Sequence, residues 1–317
     1  MIEFLGLLNT SYRTVAADMD SWFAPFPAGA AWNVFSDYCI GDEKKANDAF
    51  AFAIVLNHDT QANISEYIAA VAPSDIKGSR SASEGMIRYL MCPVVFSVSY
   101  IVERQSRMLS DYITDDNIIA ALPDLRQVVA LIVKGSPGTA HYYKAVDKRL
   151  AEFEQEMKRR KRNSNLARQI FLCAAFAAIL FLHLDSKKDP RAIRWISDRD
   201  AMFDKFDRLT FDLAFLYFQL LRMQTGKVSY YPEILFGLPG WDGENQYNEF
   251  IRIPDYLAGT AADMTLPSMT FTHEKFQPVF NNVFVNAPNA ALIEVLGNKE
   301  KITARRVGFS APSRPKV

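Results

Sequence analysis

The sequence predicts an α/β fold: a mixed sheet that opens with a three-strand antiparallel meander, continues with strands alternating with helices, and carries a large helical insertion. Three observations point to it. The segments AWNVFSDYCIGD and AFAFAIVL are aromatic and β-branched, and the turn chemistry of GDEKKAND between them makes a hairpin. The apolar run PVVFSVSYIV, opened by Pro93, reads as a further strand. Helical periodicity then dominates from Ser106 to about His183 and returns in FDRLTFDLAFLYFQLLRMQ.

Taken in order, residues 1–28 read as a helix and an APFPAGAA loop, an appendage before the main fold. After the hairpin, SEYIAAVAP is expected as the third strand, closing the meander. SRSASEGMIRYL begins with capping serines and continues as a short helix. The helical insertion, about 106–185, contains AVDKRLAEFEQEMKRRKRNSNLARQ as one long charged helix leading into the apolar IFLCAAFAAILFLHL. RAIRWISDRD returns to strand character. Beyond Gly226 the chain turns irregular, with short helices expected at Pro254–Ala262, Glu274–Asn286 and Ala290–Leu296 and a disordered tail, APSRPKV. This order is the one expected of a ribonuclease-H-like sheet, spanning 29–265, with 266–317 as a C-terminal helical extension and tail. Fold by itself does not give function.

Composition narrows the field. Of 317 residues, 49% are apolar and 23% charged, the mix of a soluble globular protein. Lys plus Arg equals Asp plus Glu at 36 each, so a nucleic-acid partner would need a local patch rather than net charge. Cys39, Cys92 and Cys173 are odd in number and far apart, as expected of buried thiols in the reducing cytoplasm. The absence of a CxxC pair argues against structural zinc. The Ile170–Leu184 stretch is shorter than a spanning helix and includes His183, which favours a buried core helix over stable membrane insertion. There is no GxSxG, P-loop or GxGxxG.

The informative feature is where certain aspartates fall. Asp37 lies within the first strand among apolar residues, where a carboxylate is costly unless paired, hydrogen-bonded or bound to metal. Asp75 is expected at the end of the third strand in PSDIKGSR. Asp198 ends the late strand, with Asp200 two residues on, and Asp255 opens a helix in RIPDYLAGT. Taken singly, Asp75 fits an ordinary turn, and Asp198, Asp200 and Asp255 fit turns or helix caps. Together, acids from strand ends and a late helix suit Mg²⁺ or Mn²⁺, hard cations that take oxygen ligands and promote phosphodiester hydrolysis by water.

Four segments, SDYCIG at 36–41, DIKGS at 75–79, ISDRD at 196–200 and IPDYLAGT at 253–260, resemble a bacterial and phage family of uncharacterised domains with a predicted ribonuclease-H-like fold. That family typically shows a first-strand acid in Asp-Glu-Ser-Gly, then acid-x-Lys-Gly-Ser, a late-strand Asp, and Ala-Asp-Leu-x-Ala-Gly. Here Tyr38 and Cys39 stand where Glu-Ser is usual, Asp75 replaces Glu, and Pro254 replaces Ala. The resemblance implies Asp37, Asp75, Asp198 and Asp255 as catalytic metal ligands, with Asp200 a fifth acid. It implies that Lys77 contacts a substrate phosphate or holds Asp75.

The basic run containing Lys158, Arg159 and Arg160 is a candidate for neutralising nucleic-acid phosphates, against the alternative of a solvated helix face. Tyr230, Tyr231, Trp241 and Tyr247 are candidates for base stacking, against pinning a loop to the core. Two functions follow: a metal-dependent nuclease acting on RNA or DNA, or a catalytically inactive module of the same fold that binds nucleic acid or a protein, in phage defence or a mobile element.

Overall fold

A computed structural model describes residues 2–13, 16–103, 108–227, 231–240, 247–297 and 302–309. Tyr230, Trp241 and the APSRPKV tail lie outside the described residues. The chain opens with α1 (Ile2–Arg13) and α2 (Ala17–Phe23), followed by β1 (Ala31–Cys39), β2 (Asn47–Val55), α3 (Gln61–Val71), α4 (Glu84–Leu90) and β3 (Val95–Glu103). Next come α5 (Met108–Tyr112), α6 (Asp115–Gly135), α7 (Ala140–Met157) and α8 (Ser164–Lys188). Then follow β4 (Ala192–Ser197), α9 (Ala201–Asp204), α10 (Leu209–Gln224), β5 (Glu233–Gly237) and α11 (Arg252–Asp263). The last are α12 (Phe276–Val279), continued by a π-helical stretch Phe280–Asn286, then β6 (Ala290–Gly297) and β7 (Ile302–Arg306).

These strands form a single mixed sheet in the order β5-β4-β1-β2-β3-β6-β7. β1, β2 and β3 pair antiparallel, while β4 runs parallel to β1, β5 to β4, and β6 to β3. β7 returns antiparallel to β6.

β2 shows how its sequence places the two helical layers. Successive strand side chains point to opposite faces, so AFAFAIV sends Phe50, Phe52 and Ile54 to one core and Ala49, Ala51 and Ala53 to the other. The aromatic face meets α8, whose all-round apolar surface is buried between the sheet and α10. There Phe176 stacks on Tyr100 with centroids 3.9 Å apart and planes 7° apart. Of the described helices, α8 is the one long and apolar enough to cross a membrane, and 89% of its apolar window is buried inside the fold. The alanine face is covered by α11, whose Ala258, Ala261 and Ala262 lie in the same core. The N-terminal helices are not a detached appendage: Phe4, Leu5, Leu8 and Phe23 join the core on the α8 side.

Four expectations are corrected. SEYIAAVAP is not the third strand but the body of α3. The Thr60 side chain caps that helix by accepting the Asn63 N–H at 3.2 Å, and Ile64 and Ile68 bury one helical face four residues apart. The third strand of the meander is PVVFSVSYIV itself, so Asp75 lies in a loop after a helix rather than at a strand end. Ala290–Leu296, read as a helix, is a strand in which Leu292 faces one core and Ile293 and Val295 the other. The C-terminal region therefore extends the sheet. The long charged helix is broken after Met157, where α7 ends, and restarts at α8, with the Asn163 side chain accepting the Leu166 N–H at 3.1 Å. In the irregular region, Glu233–Gly237 adds the edge strand β5.

Phe176→Ala removes a ring of α8 packed against Tyr100 and Phe50. It is expected to cost about 3–5 kcal/mol in urea unfolding; a loss below about 1 kcal/mol would show that α8 does not anchor the sheet.

Candidate functional site

β1 sends Phe35, Asp37 and Cys39 toward the α11 face, so the strand's own alternation buries a carboxylate there. Asp37 is 3% exposed and sits opposite Ala51, whose short side chain leaves room in front of it. Its Oδ1 accepts the Tyr38 N–H at 2.6 Å, whereas Oδ2 is buried without a hydrogen-bond partner.

Asp255 arrives from the first turn of α11, directly over that face, and is as buried as Asp37. Its Oδ2 accepts the Ile76 N–H at 2.7 Å, tying the 3₁₀ turn Ile76–Gly78 to the helix. Gly259, one helical turn along, makes room for this approach: a Cβ there would lie 3.1 Å from Phe276 and 3.3 Å from Ile76, tight enough that a neighbour would have to shift. The turn carries Lys77 above both acids, with Nζ 3.9 Å from Asp37 Oδ2 and 3.8 Å from Asp255 Oδ1.

Asp198 follows β4, and its N–H donates to the Ser36 carbonyl at 2.7 Å, carrying the β1–β4 pairing one residue past the strand. This places Asp198 beside Asp37. Asp75, exposed at the head of the 3₁₀ turn, adds negative charge toward Asp198 and Asp255.

The electrostatics agree with the geometry. Burial pushes the Asp37 carboxyl well above its ordinary value; Lys77 pulls it down, and Asp255 and Asp198 push it further up. Burial likewise raises Asp198 and Asp255. Burial pulls the Lys77 ammonium down, but Asp37 and Asp255 outweigh it and the net shift is upward. The result is a close group of buried carboxyls beside one ammonium.

The structure thus brings together Asp37, Asp198, Asp255, Asp75 and Lys77. It uses Asp200 differently: the Asp200 side chain caps α9 by accepting the Met202 N–H at 2.9 Å. The basic run sits in the turn between α7 and α8, helices whose buried residues belong to the core on the other sheet face. Lys158 pairs with Glu154 at 2.5 Å and Arg159 with Glu156 at 2.5 Å, while Arg160 is exposed. Tyr247 pins its segment to the core, packing on Phe250 and Phe35 and accepting a hydrogen bond from Arg194. Tyr231 lies over the buried guanidinium of Arg222, 4.1 Å from ring centroid to Cζ. Neither tyrosine is a free stacking platform. Sequence reasoning missed Gly259 and Lys275, whose importance depends on contacts with the distant 75–79 turn.

Among the described residues, no three His, Cys, Asp or Glu side chains stand together closely enough to hold a metal ion as arranged here. The cation between Asp37 and Asp255 is the Lys77 ammonium. The donor chemistry nonetheless suits a hard divalent ion, because every acid in the group offers oxygen and one buried Asp37 oxygen has no other partner.

A carboxyl whose value is raised by folding favours the protonated native state. Its stabilising contribution is present below the unfolded value of about 3.9 and is lost as pH rises through the higher folded value. Metal-free protein should therefore lose stability from pH 4 toward neutrality. Asp37→Asn should unfold at higher urea than wild type at pH 7.5, by on the order of 1 kcal/mol, with the gap closing at pH 4. Equal stability at both pH values would show that Asp37 carries no buried charge.

Comparison of the chain with family models, with curated proteins and with solved structures found no match to any of them.

Proposed function

We propose that the chain is a divalent-metal-dependent phosphodiesterase acting on RNA or DNA, built on a ribonuclease-H-like sheet. The observation that carries this is the buried Asp37 carboxylate, with one oxygen lacking a partner, grouped with Asp255 and Asp198. The strand order supports it. β5-β4-β1-β2-β3, with β2 the one antiparallel member, puts the first-strand acid and the acid after β4 side by side at one end of the sheet.

Asp37, Asp198 and Asp255 are the ligands, with Asp75 at the exposed rim. Asp200 is committed to its helix. Bound Mg²⁺ or Mn²⁺ supplies a nucleophilic water near neutral pH and neutralises phosphate charge. The residues do the rest. Asp37 and Asp198 are held rigidly by adjacent paired strands. Asp255 swings from the same helix that keeps the 3₁₀ turn in place. Lys77, half exposed on a flexible stem and too far from either acid for a hydrogen bond, leaves the carboxylates and meets the substrate phosphate.

A second reading rests on that same ammonium. Lys77 already neutralises the acids, as in a ribonuclease-H-like module that binds nucleic acid or a protein without cleaving it.

Calorimetric titration of Mn²⁺ at pH 7.5, followed by incubation with labelled RNA and DNA, separates the two. The enzyme reading expects wild type to bind Mn²⁺ and cleave one polymer. Asp37→Asn should lower Mn²⁺ affinity at least tenfold, roughly, and abolish cleavage. Wild-type protein that binds no Mn²⁺ at millimolar concentration sinks the enzyme reading and leaves the binding module.

A further inference from the structure

The turn that presents Lys77 and Asp75 to the acids is only five residues long, and its backbone needs to be held from outside. Asp255 holds the Ile76 N–H. The carbonyl side of the turn is held by a residue from far along the chain. Lys275 Nζ donates to Ile76 O at 2.7 Å, Lys77 O at 3.0 Å and Ser79 O at 3.1 Å. An ammonium has three donors, and all three go to main-chain oxygens of this one turn. The Lys275 ammonium also lies 5.3 Å from the centroid of Phe276, the ring packed where Gly259 leaves space.

We propose that Lys275 is a positioning residue for the candidate site: by binding the carbonyls of residues 76, 77 and 79, it fixes the turn that aims Lys77 and Asp75 at Asp37, Asp198 and Asp255. This rests on the reading of the acids as a metal site for its catalytic consequence, but not for its structural one. Lys275 touches neither metal nor substrate. It sets where the Lys77 stem begins, and hence whether the ammonium reaches the acids and, later, the phosphate. The charge cannot be replaced by a neutral side chain of similar length, because a methionine offers no donors to the three carbonyls. Arginine keeps a donor fork within reach of them.

The test uses the full chain and three variants, Lys275→Met, Lys275→Arg and Lys77→Met. Amide hydrogen exchange at Ile76, Gly78 and Ser79 should speed up about tenfold or more in Lys275→Met, while the amides of α11 keep their protection. Lys275→Arg should restore slow exchange. Turnover of the preferred polymer should fall as far in Lys275→Met as in Lys77→Met, and the double variant should fall no further. Mn²⁺ affinity should hold or tighten, because a competing cation has left the acids. A merely structural lesion would weaken Mn²⁺ binding and turnover together. Unchanged exchange in the turn, or turnover losses that add in the double variant, overturns the proposal. If wild type binds no Mn²⁺, the metal reading fails, and the exchange measurement alone decides whether Lys275 positions the turn.

Discussion

The structure depends on how closely α11 lies against the sheet. β2 offers that helix alanines, Ala49, Ala51 and Ala53, and α11 answers with Ala258, Ala261 and Ala262. Small residues on both surfaces let the backbones approach, and close packing leaves little tolerance for extra methylenes. Asp255 is thereby lowered to the level of Asp37. The Phe50 and Phe52 face of the same strand works the other way. Large rings fill the wider space under α8, and dispersion among stacked aromatics supplies rigidity rather than close backbone approach.

That geometry has an electrostatic cost. Moving Asp37 and Asp255 out of water raises both carboxyls, and Asp255 raises Asp37 further. The fold answers with backbone donors, the N–H groups of Tyr38 and Ile76, and with one ammonium. None of these satisfies Asp37 Oδ2. A residual buried acceptor of this kind destabilises a fold by roughly 1–3 kcal/mol. The neighbouring Lys45–Asp263 pair shows the contrast. There Asp263 accepts from Lys45, from the Thr272 hydroxyl and from the Thr272 and His273 N–H groups, and its value falls despite burial. Two buried acids on one helix are treated oppositely: donors hold Asp263 down, whereas the single Ile76 N–H and the more distant Lys77 leave Asp255 raised.

Much of this was legible in the sequence, for identifiable reasons. A mid-strand aspartate between aromatic residues marks itself, because the alternation of β1 is unambiguous and burial of a charge needs a cause. The helix of RIPDYLAGT and the strand of RAIRWIS were equally plain. α3 was not: SEYIAAVAP holds β-branched and aromatic residues that suit a strand, and only the Ile64–Ile68 spacing with the Thr60 cap marks a helix. β6 misled in the opposite direction, since Ala and Leu favour helices unless a slot beside β3 buries both faces of the segment. Asp200 looked like a partner of Asp198 because a continuing strand would align them, but the chain turns into α9 and spends the carboxylate on its first turn. Lys275 had no local signal whatever, because its contacts span nearly two hundred residues of chain.

The residues that flank Asp37 in SDYC have structural roles of their own. Tyr38 points away from the acids, into the α8 core, where its hydroxyl bonds Ser36 Oγ at 2.7 Å and accepts from Ser197 Oγ at 3.1 Å. Trp195 Nε1 donates to the same Ser36 hydroxyl at 2.8 Å. These four side chains join the ends of β1 and β4 from behind, at the positions that carry Asp37 and Asp198 in front. A satisfied buried network is rigid because each bond constrains the others. Tyr38 therefore acts as a neutral strut between the two strands at the back of the sheet. On the acid face, burial raises the Cys39 thiol despite the opposing pull of Lys77. The placement of the acids then rests on strand pairing and this rear network for Asp37 and Asp198, and on helix approach for Asp255, so one acid face is supported from both sides of the sheet.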